Sequence, residues 1–182
     1  MNRGLFLDRD GVVNVDYGYV YRIVDFEFIS GIFELTSYCQ KIGFKLFVIT
    51  NQSGIGRGYY AESDFDILSK WMLGKFSEKG VVLDEVYFCP NHPVHGQGKY
   101  RKEDSRRKPN PGMLLEAIED YNINPGESFL IGDKMSDLEA GLNAGIGCNL
   151  FLTDKVCENS LPENCFAMAD LHKALYFIQG RE

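Results

Sequence analysis

No two cysteines are spaced as CxxC, and the five present, Cys39, Cys89, Cys148, Cys157 and Cys165, are an odd count. A disulfide framework or a four-cysteine metal site is thereby excluded as the organising principle, and four of the thiols are read simply as reduced. Long apolar runs are also missing. Stretches such as Phe44 to Thr50 fall far short of the roughly 20 residues a membrane span needs, and residues 1–7 carry no secretory apolar core. Together these absences predict a cytoplasmic protein with no membrane partner. Positive charge is scarce: 19 Lys and Arg stand against 26 Asp and Glu, a formal charge of -7. The one dense basic cluster, Tyr100 to Lys108, is short, so nonspecific binding of nucleic acid is excluded. No repeat or low-complexity segment interrupts the chain. What remains is 182 residues, 45% hydrophobic and 25% charged, read as a single domain over 1–182 with one sizeable core.

Apolar spacing then sets the order of elements. Arg3 to Asp8 reads as a short buried strand. The segment from Ser30 reads as a helix with Ile32, Leu35, Cys39 and Ile42 in helical register, stopped by Gly43. Phe44 to Thr50 is a second buried strand, followed by a glycine-rich turn and a helix carrying Phe65, Leu68, Met72 and Phe76 on one face. A third strand is expected over Val86 to Cys89, then a helix with Asn110 as N-cap and Pro111 as first residue, placing Leu114, Ile118 and Tyr121 inward. A strand over Ser128 to Gly132, a helix over Ser136 to Ala144, a strand over Cys148 to Thr153 and a helix after Asp170 complete the pattern. Such alternation predicts an α/β fold, with a mostly parallel sheet covered by helices on both faces and a ligand site at the carboxyl ends of its strands.

Polar residues fall where these strands stop. The first ends in Asp8-Arg9-Asp10-Gly11, the second in Thr50-Asn51-Gln52-Ser53-Gly54, the fourth in Gly132-Asp133-Lys134 with Asp137 close behind. Carboxylates converging on one crevice repel one another and call for a cation. All-oxygen donors suit Mg²⁺, which commonly also holds a substrate phosphate. The Thr50 hydroxyl and backbone N–H groups of the glycine-rich turn are suited to phosphate oxygens, and Lys108 to the charge of a phosphoryl-transfer transition state.

DRDGV at 8–12, ITN at 49–51, RKPNP at 107–111 and GDKMSD at 132–137 occur in the order of the four motifs of the haloacid dehalogenase (HAD)-like phosphatases, which the chain resembles from Leu5 to Thr153. The longer strings DRDGVVNVDYGYV at 8–20, TNQSGIGRG at 50–58 and RKPNPGM at 107–113 are similar to the D-glycero-D-manno-heptose 1,7-bisphosphate phosphatases, a branch related to histidinol-phosphate phosphatases. The resemblance implies a Rossmann-like three-layer sandwich without a cap domain, since neither the stretch between Asp10 and Ser30 nor those around Thr50 and Lys108 has room for one. It implies catalysis by Asp8 as nucleophile and Asp10 as general acid and base, with Thr50 and Lys108 on the phosphoryl group. Mg²⁺ would be held by Asp8, Asp133 and the backbone carbonyl of Asp10. Substrate contacts would come from Asp16, Tyr19, Thr50, Asn51, Gln52, Ser53, Arg57, Arg107, Lys108 and Lys134, the last from behind the others. For Asp16 and Tyr19 an ordinary surface turn is the competing reading, and for Arg57 a solvated loop arginine rather than a contact to a distal phosphate. Asp137 is open between capping its helix and touching metal. The implied partner is a small sugar bisphosphate, or histidinol phosphate as the alternative, met by a monomer. A non-catalytic phosphate-binding module is disfavoured by the intact Asp8, Asp10, Thr50, Lys108 and Asp133.

One departure stands out. Heptose bisphosphate phosphatases commonly carry a zinc loop of Cys-x-His and later Cys-x-Cys ahead of the RKP string. Here Cys89 is kept, Asn91 takes the place of the histidine, and Asp104 and Arg106 replace the two later cysteines. Cys89, His92, His95 and Asp104 are competent donors for a displaced zinc site, but their spacing fits no structural zinc pattern. The loop is expected to be metal-free and held by salt bridges and by Pro90, Pro93 and Pro109.

Overall fold

A computed structural model describes residues 1–154 and 161–181; Cys157 lies outside the described residues. Among the described residues six strands form one sheet: β1 (Arg3–Leu7), β2 (Phe44–Asn51), β3 (Glu85–Cys89), β4 (Phe129–Gly132), β5 (Cys148–Leu152) and β6 (Cys165–Met168). Every pairing is parallel, in the order β3-β2-β1-β4-β5-β6. The chain builds outward from β1 to β3, returns to the far side of β1 at β4, and builds outward again. The crevice beside β1, where the order reverses, is where such sheets hold ligands.

Strand alternation sorts the side chains into two cores. Leu5, Leu7, Leu46, Val48 and Ile131 face one side with residues of α1 (Ile32–Lys41), α3 (Glu62–Glu78) and α6 (Leu171–Gln179). Phe6, Phe47, Ile49 and Leu130 face the other with Met113, Leu114 and Ala117 of α4 (Gly112–Asp120) and Leu138 and Ala140 of α5 (Met135–Asn143). The result is a Rossmann-like three-layer sandwich. Phe6 and Phe47, both fully buried, stack across neighbouring strands at 5.1 Å; truncating either to alanine should cost about 3–5 kcal/mol. No helix among the described residues is long and apolar enough to cross a membrane.

Three details differ from the sequence reading. The strand β6 was not anticipated: only its end residues are buried, so it shows no apolar run. Asn110 does not cap α4; its amide donates to the Asp104 carbonyl at 2.9 Å, and the helix starts at Gly112 after Pro111. The glycine-rich turn after β2 contains one short helical turn, α2 (Ser53–Gly56). Asp170 does cap α6, accepting from the Lys173 N–H at 2.8 Å.

Candidate active site

Parallel register brings the ends of β1, β2 and β4 level, with Leu7 opposite both Val48 and Ile131. Asp8, Thr50 and Asp133 therefore emerge at one rim of the sheet. Asp8 is 7% exposed and Lys108 4% exposed. The Lys108 ammonium lies 2.9 Å from Asp8 Oδ1 and 2.7 Å from Asp137 Oδ1, and donates to the Ile49 carbonyl at 2.8 Å. These three contacts fix the ammonium, and its backbone is gripped as well: Asn51 accepts from the Lys108 N–H and donates to the Lys108 carbonyl, both at 3.0 Å. Asp8 Oδ1 takes a further bond from the Arg9 N–H at 2.7 Å.

Asp8, Asp133 and Asp137 each offer an oxygen within 4.8 Å of the others, the one such group of three metal-competent side chains among the described residues. One ammonium cannot neutralise three carboxylates. Burial pushes the Asp8 carboxyl up to about 7 despite Lys108, with Asp137 and Asp10 adding to the rise. Burial likewise lifts Asp133 to about 6, against the pull of Lys134. Asp133 Oδ1 is buried with no hydrogen-bond partner. An orphaned carboxylate oxygen beside two others is what a hard divalent cation satisfies, so this donor set fits one. The chain also makes room for it: Gly11 has φ +94°, and a Cβ there would come within 2.2 Å of Asp133 Oδ2. Asp137 caps its helix and also stands in the acidic cluster. Its Oδ2 accepts from the Lys134 N–H at 2.9 Å at the start of α5, and its Oδ1 sits in the acidic cluster.

Asp10 faces the same crevice from the loop after β1. The Arg9 guanidinium, itself buried, reaches both carboxylate oxygens at 2.8 Å and the Val20 carbonyl at 2.6 Å. Asn14 donates to Asp10 Oδ1 and Gln52 to Asp10 Oδ2, each at 3.0 Å. Arg9, Asn14 and Tyr60, which closes on Gln52, were not singled out from sequence. Arg9 and Asn14 lie within the string that carried the resemblance, whereas nothing in the sequence marks Tyr60.

A cavity of about 560 Å³ is lined by Asp10, Asp16, Tyr19, Asn51, Gln52, Ser53, Arg107, Lys108 and Lys134. It shares Asp10, Asn51, Lys108 and Lys134 with a small pocket of about 50 Å³ that also touches Asp8, Thr50 and Asp137. Lys134 bridges the rim, 3.1 Å from Asp16 and 3.9 Å from Asp133. Arg57 is not among the lining residues; its guanidinium lies over the Tyr19 ring at 5.8 Å.

The profile of the HAD-hydrolase-like family matches residues 105–173. A D-glycero-alpha-D-manno-heptose-1,7-bisphosphate 7-phosphatase of Burkholderia mallei is 54% identical over 154 residues, 85% of this chain and 82% of the relative. The chain belongs to the HAD-like heptose-bisphosphate phosphatase family. A beta-anomer 7-phosphatase of Escherichia coli K12 is 40% identical over 94% of this chain and 92% of its own length. Among solved structures, a putative HAD-like phosphatase from Mesorhizobium loti superposes with TM-score 0.89 at 31% identity, over 98% of this chain and 85% of that one. A D,D-heptose 1,7-bisphosphate phosphatase from B. bronchiseptica, complexed with magnesium and phosphate, shares the fold with TM-score 0.87 at 24% identity, over 99% of each.

The loop between Cys89 and Arg107 is held by polar contacts of its own. Asn91 donates directly to Asp104 Oδ2, while Asp104 Oδ1 accepts from the Arg106 N–H at 2.8 Å. Arg106 turns outward to Glu116 at 3.2 Å, and Arg107 donates to the Asn91 carbonyl at 3.2 Å. His92 Nδ1 accepts from the Val94 and His95 N–H groups at 3.2 and 3.1 Å. Burial pushes the Cys89 thiol up to about 11. Cys89, His92, His95 and Asp104 do not gather as a ligand group.

Proposed function

We propose that this phosphatase is Mg²⁺-dependent and removes the C7 phosphate of D-glycero-D-manno-heptose 1,7-bisphosphate through an aspartyl-phosphate on Asp8. The observation that carries the chemistry is the buried Asp8 carboxylate pinned by Lys108 within a cluster of acidic oxygens, at the foot of a cavity wide enough for a sugar. The substrate is inferred from the 54% identical relative.

Asp8 attacks phosphorus, and the bond to the sugar oxygen breaks. Asp10 delivers a proton to the departing oxygen, then takes one from the water that hydrolyses the acyl phosphate, returning Asp8 and releasing inorganic phosphate. Lys108 balances charge on the phosphoryl oxygens, Thr50 holds one of them, and Asn51 keeps Lys108 in place. Asp8, Asp133 and the Asp10 carbonyl would hold Mg²⁺, with Asp137 beside them. When bound, the ion supplies Lewis-acid stabilisation and screens the nucleophile from the charged phosphate. Asp16, Tyr19, Ser53, Arg107 and Lys134 line the mouth and contact the sugar and its second phosphate, with Gln52 and Arg57 behind them. With no cap among the described residues between this mouth and solvent, specificity rests on these loops.

We place this activity in the cytoplasm, in a monomer whose residues 1–182 act as one unit, supplying nucleotide-activated heptose for a surface polysaccharide. The test is phosphate release from both anomers of the heptose bisphosphate and from histidinol phosphate, with the product analysed for its remaining phosphate. A heptose 1-phosphate product supports the reading. Faster release from histidinol phosphate refutes the substrate, and no Mg²⁺-dependent release refutes the mechanism.

A further inference from the structure

Gln52 and Tyr60 both line the cavity, yet the Gln52 side chain is buried and its polar atoms are committed to the protein. Its Nε2 donates to Asp10 Oδ2 and to Thr50 Oγ1, each at 3.0 Å, and its Oε1 accepts from the Tyr60 hydroxyl at 2.5 Å. An amide has two faces, and only one suits this place. Rotated by half a turn, Gln52 would set a carbonyl oxygen against the Asp10 carboxylate. The Tyr60 hydroxyl, a donor to Oε1, holds the correct face. Burial raises the Tyr60 phenol well above its ordinary range, so it keeps its proton. Tyr60 is itself immobilised. Its ring stacks on Tyr21 at 4.9 Å with planes 6° apart, and it fills the space where a Cβ on Gly54 would lie 2.2 Å from it.

We propose that Tyr60 is a positioning residue for the acid–base step: acting through the Gln52 amide, it holds the Asp10 carboxyl in line with the departing sugar oxygen. This rests on the reading of Asp10 given above. Arg9 and Asn14 fix Asp10 from its other side, so loss of the Tyr60 hydroxyl loosens one of three supports. The step at stake is the first: the phosphorus–oxygen bond breaks, the electron pair goes to the sugar oxygen, and the Asp10 proton follows it. A sugar alkoxide needs that proton, whereas p-nitrophenolate departs without one.

Comparing the two leaving groups separates positioning from general damage. Tyr60→Phe keeps the ring and its packing and removes only the hydroxyl. It should lower kcat/KM for the heptose bisphosphate about tenfold, part of the roughly 10²–10⁴ that acid–base catalysis contributes, and for p-nitrophenyl phosphate by less than about threefold. Tyr60→Met, which fills part of the same space without a hydroxyl, gives the same comparison if Tyr60→Phe does not fold. Equal losses on the two esters, or none on the sugar ester, overturn the proposal. Wild-type protein that releases phosphate from neither ester overturns the phosphatase reading, and this proposal with it.

Discussion

Mg²⁺ should stabilise the protein strongly at slightly alkaline pH and hardly at all in mild acid. Asp8 and Asp133 have folded values of about 7 and about 6, against 3.8 for an ordinary aspartate. Between those limits the folded protein binds more protons than the unfolded chain. Without metal its stability therefore falls as pH rises from about 4 to about 7. A divalent cation needs both groups ionised, so its contribution runs the other way. At about pH 7.5 roughly three-quarters of Asp8 and nearly all of Asp133 are charged; at about pH 5.5 the fractions are roughly 3% and 25%, a loss of about 100-fold in metal affinity. With Mg²⁺ at about 100 times its Kd at the higher pH, stabilisation is about 2.7 kcal/mol, falling to about 0.4 kcal/mol at the lower. For a chain of this size that is a rise in Tm of roughly 5–11 °C against about 1–2 °C. Differential scanning fluorimetry at both pH values, with Mg²⁺ and with EDTA, reads the difference directly. A shift that is equal at the two pH values, or larger in acid, refutes the assignment of these carboxylates to the ion.

Asp8→Asn should abolish turnover while leaving the fold intact, because an amide is a poor nucleophile; beryllofluoride with Mg²⁺ should bind beside Asp8 in the wild type, and density for it elsewhere would contradict that role. Gly11→Ala, at φ +94° with its Cβ 2.2 Å from Asp133 Oδ2, should cost roughly 1–3 kcal/mol of stability and weaken Mg²⁺ activation; a normal Mg²⁺ titration refutes the close approach. A zinc chelator should leave Tm unchanged, since a structural zinc contributes at least several kcal/mol of folding free energy. One equivalent of zinc in purified protein, lost in Cys89→Ser, would sink that expectation.

The layers of the fold were legible because burial on both faces leaves strands such as β2 with an apolar run, here Leu46 to Ile49, instead of an alternation. The converging carboxylates were legible for a related reason: parallel strands all end on one side, so Asp8 and Asp133 had to meet there. β6 escaped notice because Phe166 and Ala167, its middle residues, are not buried and four residues carry little periodicity. The supports of the site escaped for a different reason. Asn51 grips the backbone of Lys108, 57 positions away, and Tyr60 reaches Asp10 only through Gln52. Such bonds depend on where loops come to rest, which residue spacing does not encode. Asn110 followed the helix-start pattern, but the Asp104 carbonyl claimed its side chain instead.

The central place of β1 bears on how the chain folds while it is being made. β1 pairs with β2 on one edge and with β4 on the other, Leu7 meeting Ile131. On the ribosome, β2 emerges soon after β1, yet the second edge of β1 stays uncovered until β4 appears. At about 5–20 residues per second that is a wait of roughly 6–25 s. Through that interval an apolar strand with open N–H and C=O groups is available to chaperones and to other nascent chains. Asp8 precedes Lys108, Asp133 and Asp137 in the chain, so its pocket cannot close until they have left the exit tunnel. Truncated products should therefore be both inactive and prone to aggregate.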